Sequence, residues 1–458
     1  MATDLLKNIR TRIEKAGEIG KFPDWYITEL LGFKRRWSTD FILDITDPKT
    51  GKKKAEAFKM VRVWHRLPNN RWLYGGGFRF HEDVTLSQME SHAIEMSFKG
   101  WIHGLKQGGS KGGIAFDPSK RTDEDLIAIC NKAIEEAVEA NVIGPWMDRW
   151  APDVGTNELV MQRFQSRFAY EKRKPGTPEP LATITGKPLD DGGMPGRTEA
   201  TGLGLHYAYE PFRKELKGKL PKNPTIILEG FGNVGSEYAR LSMDLDKRKT
   251  IVGVTDKFNG IKGGVYCEKG LDIEKLLKYA KSNRTVQGFE SEQKTASKAV
   301  LEEMLFDKGA DGFVPAALEE TVTEEVAKKA KIKFMEEGAN GPTLPEADPI
   351  LEERGITVIP DIYANAGGVI VSFFEWAQDT GGKPFDTDLI IPPSNSPAVV
   401  EIVYQQLQGA FTRNGANIIN LQKQTKDGNK NISYRMASYI YAMDRVFSRF
   451  AAKRNKKI

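Results

Sequence analysis

The sequence predicts an α/β protein of two domains, and three observations carry that prediction. Its 458 residues exceed what one hydrophobic core usually organises. Short apolar runs such as Thr225-Ile226-Ile227-Leu228 alternate with segments of helical period, as in a parallel sheet covered by helices. Between that run and the next helix stands Gly230-Phe231-Gly232-Asn233-Val234-Gly235, whose spacing is considered below.

Composition narrows the class. A hydrophobic fraction of 40% and a charged fraction of 28% describe an ordinary globular chain. A formal charge of +5 is small for this length and demands neither nucleic acid nor a membrane surface. Two cysteines, Cys130 and Cys267, form no disulfide framework and no metal-ligand spacing, so a reducing compartment and no metal are expected. The start lacks an apolar signal core, and no run approaches the roughly twenty apolar residues of a membrane span, so a cytoplasmic protein is expected.

Residues 1 to about 36 read as amphipathic helix ending at Lys34-Arg35-Arg36. Strands follow around Phe41–Ile45 and Ala57–Trp64, joined by a Pro/Gly turn, and a third extended segment runs from Trp72 to Phe80. Thr85 with Gln88 has the form of a capping box and starts a helix whose Leu86, Met89, Ala93 and Met96 share one face, with Lys99 near its end. Twelve residues on, Lys111 lies between Gly108-Gly109 and Gly112-Gly113. Read locally this is a solvated turn. Read chemically it is a lysine whose pKa burial can lower for proton-coupled work. A helix runs from about Thr122 to Ala140, and Asp153 then sits in a non-helical turn, where its commonplace role is helix capping.

After Pro188 the character changes. The 189–197 stretch is a loop, a helix starts near Glu199, and Thr225–Leu228 leads into the glycine run, a helix over Ser236–Asp246, and a strand from Thr250 ending at Asp256. Strand, glycine loop, helix, strand and acidic residue make up a dinucleotide-binding (Rossmann) unit. Gly230 makes the tight turn, Gly232 lets backbone approach the pyrophosphate, and Gly235 lets helix pack on strand. Strands at Gly312–Val314, Lys333–Met335 and Thr357–Ile359 extend the sheet, with a helix from about Glu319 between the first two. A long helix follows Asn365-Ala366-Gly367-Gly368, residues 379–397 connect, and helices span about Ala398–Asn414 and Ser433–Lys453. The domains expected are 1–190, completed by 380–458, and 191–379.

In this order the motifs resemble the glutamate, leucine, phenylalanine and valine dehydrogenases, most closely the glutamate branch. The resemblance rests on Phe78–His81, the run 108–113, Ala151–Thr156, Thr185–Pro188, Glu199–Gly202, Gly230–Gly235, Glu337–Thr343 and Asn365–Trp376. It implies a hexamer assembled through the first domain, an active site in a cleft between domains, and NAD(P)-dependent oxidative deamination of an L-amino acid to a 2-oxo acid and ammonia. Lys111 would be the catalytic lysine, Asp153 the proton shuttle and Lys99 the partner of the α-carboxylate. Ser372 would face the substrate side chain. Thr201, Asn233, Val234, Asp256, Asn340 and Asn365 match positions lining the cofactor site. Asp256 favours NAD, since a carboxylate accepts from a ribose hydroxyl and repels a 2′-phosphate.

One departure bears on the substrate. The family's glutamate branch has a lysine for the side-chain carboxylate where this chain has Gly75. Three readings stay open: Lys106 supplies the missing cation, the pocket takes a neutral amino acid, or the chain is a catalytically weak nucleotide-binding paralogue. A rival class, a nucleic-acid-binding or purely nucleotide-binding protein, draws on the basic tail Lys453–Lys457 but has no use for Lys99, Lys111 and Asp153 together.

Overall fold

The computed structural model describes residues 5–455 except 48–49, 68–72, 106, 173–179, 245–248, 259, 291–295, 382–386, 388 and 395; Trp72 and Lys106 thus lie outside the described residues. The chain divides into two compact units, Met1–Arg197 with Val369–Gln406 and Ala442–Ile458, and Thr198–Gly368 with Leu407–Tyr441. This differs from the division read in sequence, which kept all of 380–458 with the first domain. Leu407–Tyr441 joins the second unit through side chains that periodicity does not reveal. Tyr363 Oη donates to the Phe411 carbonyl at 2.7 Å, and Arg435 forks onto both oxygens of Glu337 at 2.7 Å. The first unit gains residues from Val369 onward because Glu375 accepts from Gly186 N–H at 2.8 Å and Ser372 Oγ meets Thr185 Oγ1 at 2.6 Å.

The first unit opens with α1 (Leu5–Ile19) and α2 (Asp24–Leu30). Leu6, Ile9, Ile13 and Ala16 of α1 are buried, one stripe at helical spacing. Lys34-Arg35-Arg36 does not end a helix. It lies in strand β1 (Phe33–Thr46), an antiparallel partner of β2 (Lys53–His65), where alternation sends Arg36 to Glu90. With β3 (Tyr74–Phe80), β4 (Gly108–Ile114) and β5 (Asp148–Pro152) these strands form a sheet of order β1-β2-β4-β3-β5, in which β3 runs parallel to both β4 and β5.

Helix α3 (Leu86–Ile102) packs on one face of that sheet, its first turn capped by Thr85 Oγ1 accepting from Gln88 N–H at 3.3 Å. On the other face, Phe58, Phe78, Phe80 and Trp150 meet Ile129 and Ala133 of α4 (Asp123–Glu139) and Phe164 of α5 (Glu158–Glu171) in one core. Phe78 and Trp150 stack with ring centroids 4.0 Å apart. Beneath the glycine-rich strands the fully buried Arg62 forks onto Asp148 at 2.8 and 2.9 Å and donates to the Gly77 carbonyl at 2.9 Å.

The second unit is a seven-stranded sheet of order β12-β11-β10-β6-β7-β8-β9. Its parallel part is β6 (Thr225–Glu229), β7 (Thr250–Phe258), β10 (Gly312–Pro315), β11 (Phe334–Glu336) and β12 (Thr357–Ile359); β8 (Ile261–Tyr266) and β9 (Ser297–Ala299) add an antiparallel edge. Helix α6 (Ala200–Glu215) precedes β6, and α7 (Asn233–Asp244) follows it directly. Strand β7 does not end at Asp256 but continues to Phe258 and folds back onto β8, with Asp256 opposite Gly263. The helix expected from Glu319 spans Glu324–Lys329, because Thr323 caps it by accepting from Val326 N–H.

Candidate active site

The lysine between glycines lies in a buried strand rather than a loose turn. Every residue of β4 is buried, and Lys111 is 2% exposed. Glycine is required because α3 lies directly against the strand: a Cβ on Gly109 would stand 2.6 Å from Met96 Cβ and closer still to the Ala93 carbonyl and Ser97 nitrogen. Ser97 Oγ accepts from Gly109 N–H at 2.7 Å and meets His65 Nδ1 at 2.7 Å, which locks helix to strand.

Asp153 follows β5 and is not a helix cap; Asn157 caps α5 by accepting from Val160 N–H. The Asp153 carboxylate is held between two cations, with Lys111 Nζ at 2.7 Å on one oxygen and Arg79 Nε at 2.7 Å on the other. Thr156 fixes the turn, its Oγ1 accepting from Asp153 N–H at 2.8 Å and donating to the Phe78 carbonyl at 2.9 Å. Burial alone would raise the Asp153 carboxyl, but the charges of Lys111 and Arg79 override it and hold the group well below the usual carboxylate range. Burial lowers the Lys111 ammonium; Asp153 opposes that shift, and Arg79 and Lys99 add to it. Lys99, in the last turn of α3 and 2% exposed, is near enough to Lys111 to act on its charge. The structure therefore brings Lys99, Lys111 and Asp153 together, and adds Arg79, whose only trace in sequence was its place in Phe78-Arg79-Phe80-His81.

Gly75 has a physical reason to be glycine. It lies opposite Arg149 in the β3–β5 register, and a Cβ at 75 would stand 2.8 Å from Arg149 Cζ. Arg149 occupies the space that a longer residue would fill. A Cβ on Gly77, two residues along the same face, would stand 2.8 Å from Asp153 Cβ. Ser372 is buried on the helix Gly367–Asp379, whose Phe373 and Trp376 rings flank the Arg149 guanidinium at 5.8 and 5.0 Å. Arg149 has no signal in the sequence, since it belongs to none of the motifs that mark the other site residues.

In the second unit the glycine run has the form its spacing implies. Gly230 adopts a φ of 92°, closed to most side chains. A Cβ on Gly235 would meet Gly230 carbonyl carbon at 3.0 Å and its oxygen closer still, whereas one on Gly232 would meet nothing within 4 Å. Gly232 and Asn233 are exposed at the N-terminus of α7, and Val234 is half-buried behind them; the first N–H groups of a helix have no intrahelical partner, which suits this end to a pyrophosphate. Thr201 is half-exposed in the first turn of α6. Asn365 donates through Nδ2 to the Gly338 and Ala339 carbonyls and to Asn340 Oδ1, while its buried Oδ1 has no partner among the described residues. Such an orphaned acceptor fits the carboxamide N–H groups of a nicotinamide. Asp256 already accepts from Thr285 Oγ1, Val286 N–H and Gln287 Nε2, at 3.1, 2.7 and 3.0 Å. Among the described residues no cluster of His, Cys, Asp or Glu could hold a metal ion, and no helix is long and apolar enough to cross a membrane.

One unit thus carries a buried Lys–Asp–Arg constellation and the other a dinucleotide-binding loop, the parts of a two-domain α/β oxidoreductase. Residues 192–453 match the family model for Glutamate/Leucine/Phenylalanine/Valine dehydrogenase, and residues 41–170 match that for the Glu/Leu/Phe/Val dehydrogenase dimerisation domain. The chain is 36% identical to a glutamate dehydrogenase from Thermotoga maritima over 86% of its length and 85% of the relative's. It is 32% identical to one from Aeropyrum pernix over 97% of both chains. Among solved structures, a hetero-hexameric glutamate dehydrogenase from Thermus thermophilus in a leucine-bound form matches with a TM-score of 0.82 and 25% identity, covering 98% of this chain and 97% of that one. The chain belongs to the Glu/Leu/Phe/Val dehydrogenase family and is an amino acid dehydrogenase using a nicotinamide dinucleotide.

Proposed function

We propose that this enzyme catalyses the reversible oxidative deamination of L-glutamate to 2-oxoglutarate and ammonia. The observation that carries the reading is the Lys111–Asp153–Arg79 constellation beside Lys99, which places a general acid and base next to cations for a small anion. Lys99 pairs with the α-carboxylate. Lys111, its charge already disfavoured by burial, holds and deprotonates the water that attacks the imine carbon. Asp153 moves the proton to and from the amino nitrogen, and Arg79 orients it.

The dinucleotide, when bound, takes the hydride from the substrate α-carbon. Gly232, Asn233 and Val234 would receive its pyrophosphate at the α7 N-terminus, in a loop shaped by Gly230 and Gly235. Asn365, steadied by Asn340, would accept from the carboxamide, and Thr201 would line the same site. Asp256 has about one acceptor position left after its three bonds among the described residues, enough for one ribose hydroxyl and unsuited to a phosphate, so NAD is preferred to NADP. A relative from Synechocystis, 33% identical, is named NADP-specific, so both cofactors belong in the assay. We place the enzyme in the cytoplasm as a hexamer of this chain.

Incubating the protein with NAD or NADP and single L-amino acids, while following nicotinamide reduction, tests the reading. Reduction is expected with glutamate. A signal with leucine, valine or phenylalanine but not glutamate overturns the substrate, and no signal with any pair overturns the enzymatic reading.

A further inference from the structure

The geometry points to Arg149 as the cation that receives the substrate's distal carboxylate, in place of a lysine on β3. This assignment rests on the reading of the site as a glutamate site and names how that substrate is told from a neutral one.

Arg149 is 2% exposed, yet among the described residues no carboxylate forms an ion pair with it. Its neighbour Asp148 is taken up by both arms of Arg62 and by Ser110 Oγ at 2.5 Å. Glu375, the other acid that its charge senses, is held by Lys187 Nζ at 2.7 Å and Gly186 N–H. The Arg149 guanidinium donates from Nη2 to Gln107 Oε1, and among the described residues both Nε and Nη1 lack a partner. A buried guanidinium with two open donors is costly unless an anion completes it, and its fork suits a carboxylate. Arg62, a few ångströms through the sheet, shows what a purely structural arginine looks like here: all three of its guanidinium nitrogens are satisfied.

Place and distance agree. Arg149 sits at Gly75 and Asp153 at Gly77, on the same face and two strand positions apart, about 7 Å. One small dicarboxylate spans that gap, with its α-carbon beside Lys111 and Asp153 and its far end at the guanidinium. Phe373 and Trp376 flank the guanidinium with their rings. Ser372, next to Phe373 on the same helix, is held by Thr185 Oγ1 at 2.6 Å.

The test compares Arg149→Met and Arg149→Lys in the full-length enzyme, on L-glutamate and on L-norvaline, which replaces the distal carboxylate by a methyl group. Arg149→Met is expected to lose on the order of a hundredfold in kcat/KM on glutamate while norvaline changes only a few-fold, and Arg149→Lys to recover part of the loss. A structural plug would depress both substrates together, and that result overturns the assignment. So does an Arg149→Met enzyme that keeps its glutamate activity, which leaves glutamate as the substrate untouched. A wild type active on norvaline but not glutamate overturns both proposals. If Arg149→Met does not fold, Gly75→Lys/Arg149→Ala carries the test, since it moves the cation to β3 and removes the clash; a folded double variant that prefers norvaline overturns the assignment.

Discussion

Replacing Gly109 by alanine adds one methyl group at the contact between β4 and α3, and its effect can be worked out from distances. The new Cβ would stand 2.6 Å from Met96 Cβ, and ordinary contact begins near 3.4 Å, so about 1 Å must be found. The nearer obstacles, the Ala93 carbonyl and Ser97 nitrogen, are helix backbone, so no side-chain rotation relieves them. Helix α3 must retreat and carry Lys99 with it, and the Gly109 N–H to Ser97 Oγ bond at 2.7 Å must stretch. Overpacking of this kind costs about 1–3 kcal/mol. For a unit of this size that lowers the melting temperature by about 2–4 °C per kcal/mol. Misplacing a substrate-positioning group by about 1 Å costs on the order of a hundredfold in kcat/KM. Thermal melts and glutamate kinetics on Gly109→Ala measure both. A variant that melts with the wild type and keeps its KM would show that α3 does not rest on this strand as described.

Asp153→Asn should lower kcat by about 10²–10⁴-fold and leave Lys111 and Arg79 facing each other without their shared anion, which steady-state kinetics and a melt would register together. In the nucleotide unit two glycines should part company. Gly232→Ala enters open space and should leave the melt unchanged while weakening dinucleotide binding, whereas Gly235→Ala meets the Gly230 carbonyl and should lower both; fluorescence titration with NADH separates them. Acid sensitivity should trace to His65, fully buried between Ser97 Oγ and the Leu30 carbonyl, where burial lowers its pKa to about 4. The unfolded chain then binds the extra proton first, so stability is complete above about pH 6.5 and falls by about 3 kcal/mol per subunit as pH drops to about 4. Denaturant titrations at fixed subunit concentration over that range should show the loss in wild type and a smaller one in His65→Gln; identical slopes would exclude His65.

Sequence by itself determined the two-domain α/β class and the dinucleotide loop, and singled out Lys99, Lys111 and Asp153 as candidates through motifs long enough to read without contacts; only the folded sheet shows that the three lie close together. The glycine run at 230–235 is the clearest case: its three glycines serve a turn, an approach and a packing contact within six residues. Where sequence misled, the deciding contact was distant. The run 108–113 reads as a flexible turn because glycine disfavours strands, yet a helix pressed against the sheet leaves room for nothing larger. Lys34-Arg35-Arg36 reads as the end of a helix, and pairing with β2 makes it strand. Residues 407–441 changed units through Tyr363 and Arg435, whose partners lie 48 and 98 residues away. Arg79 and Arg149 became visible only once β3 and β5 were laid side by side. Gly75 looked in sequence like a missing cation; in the folded sheet it is the space that admits one from the next strand.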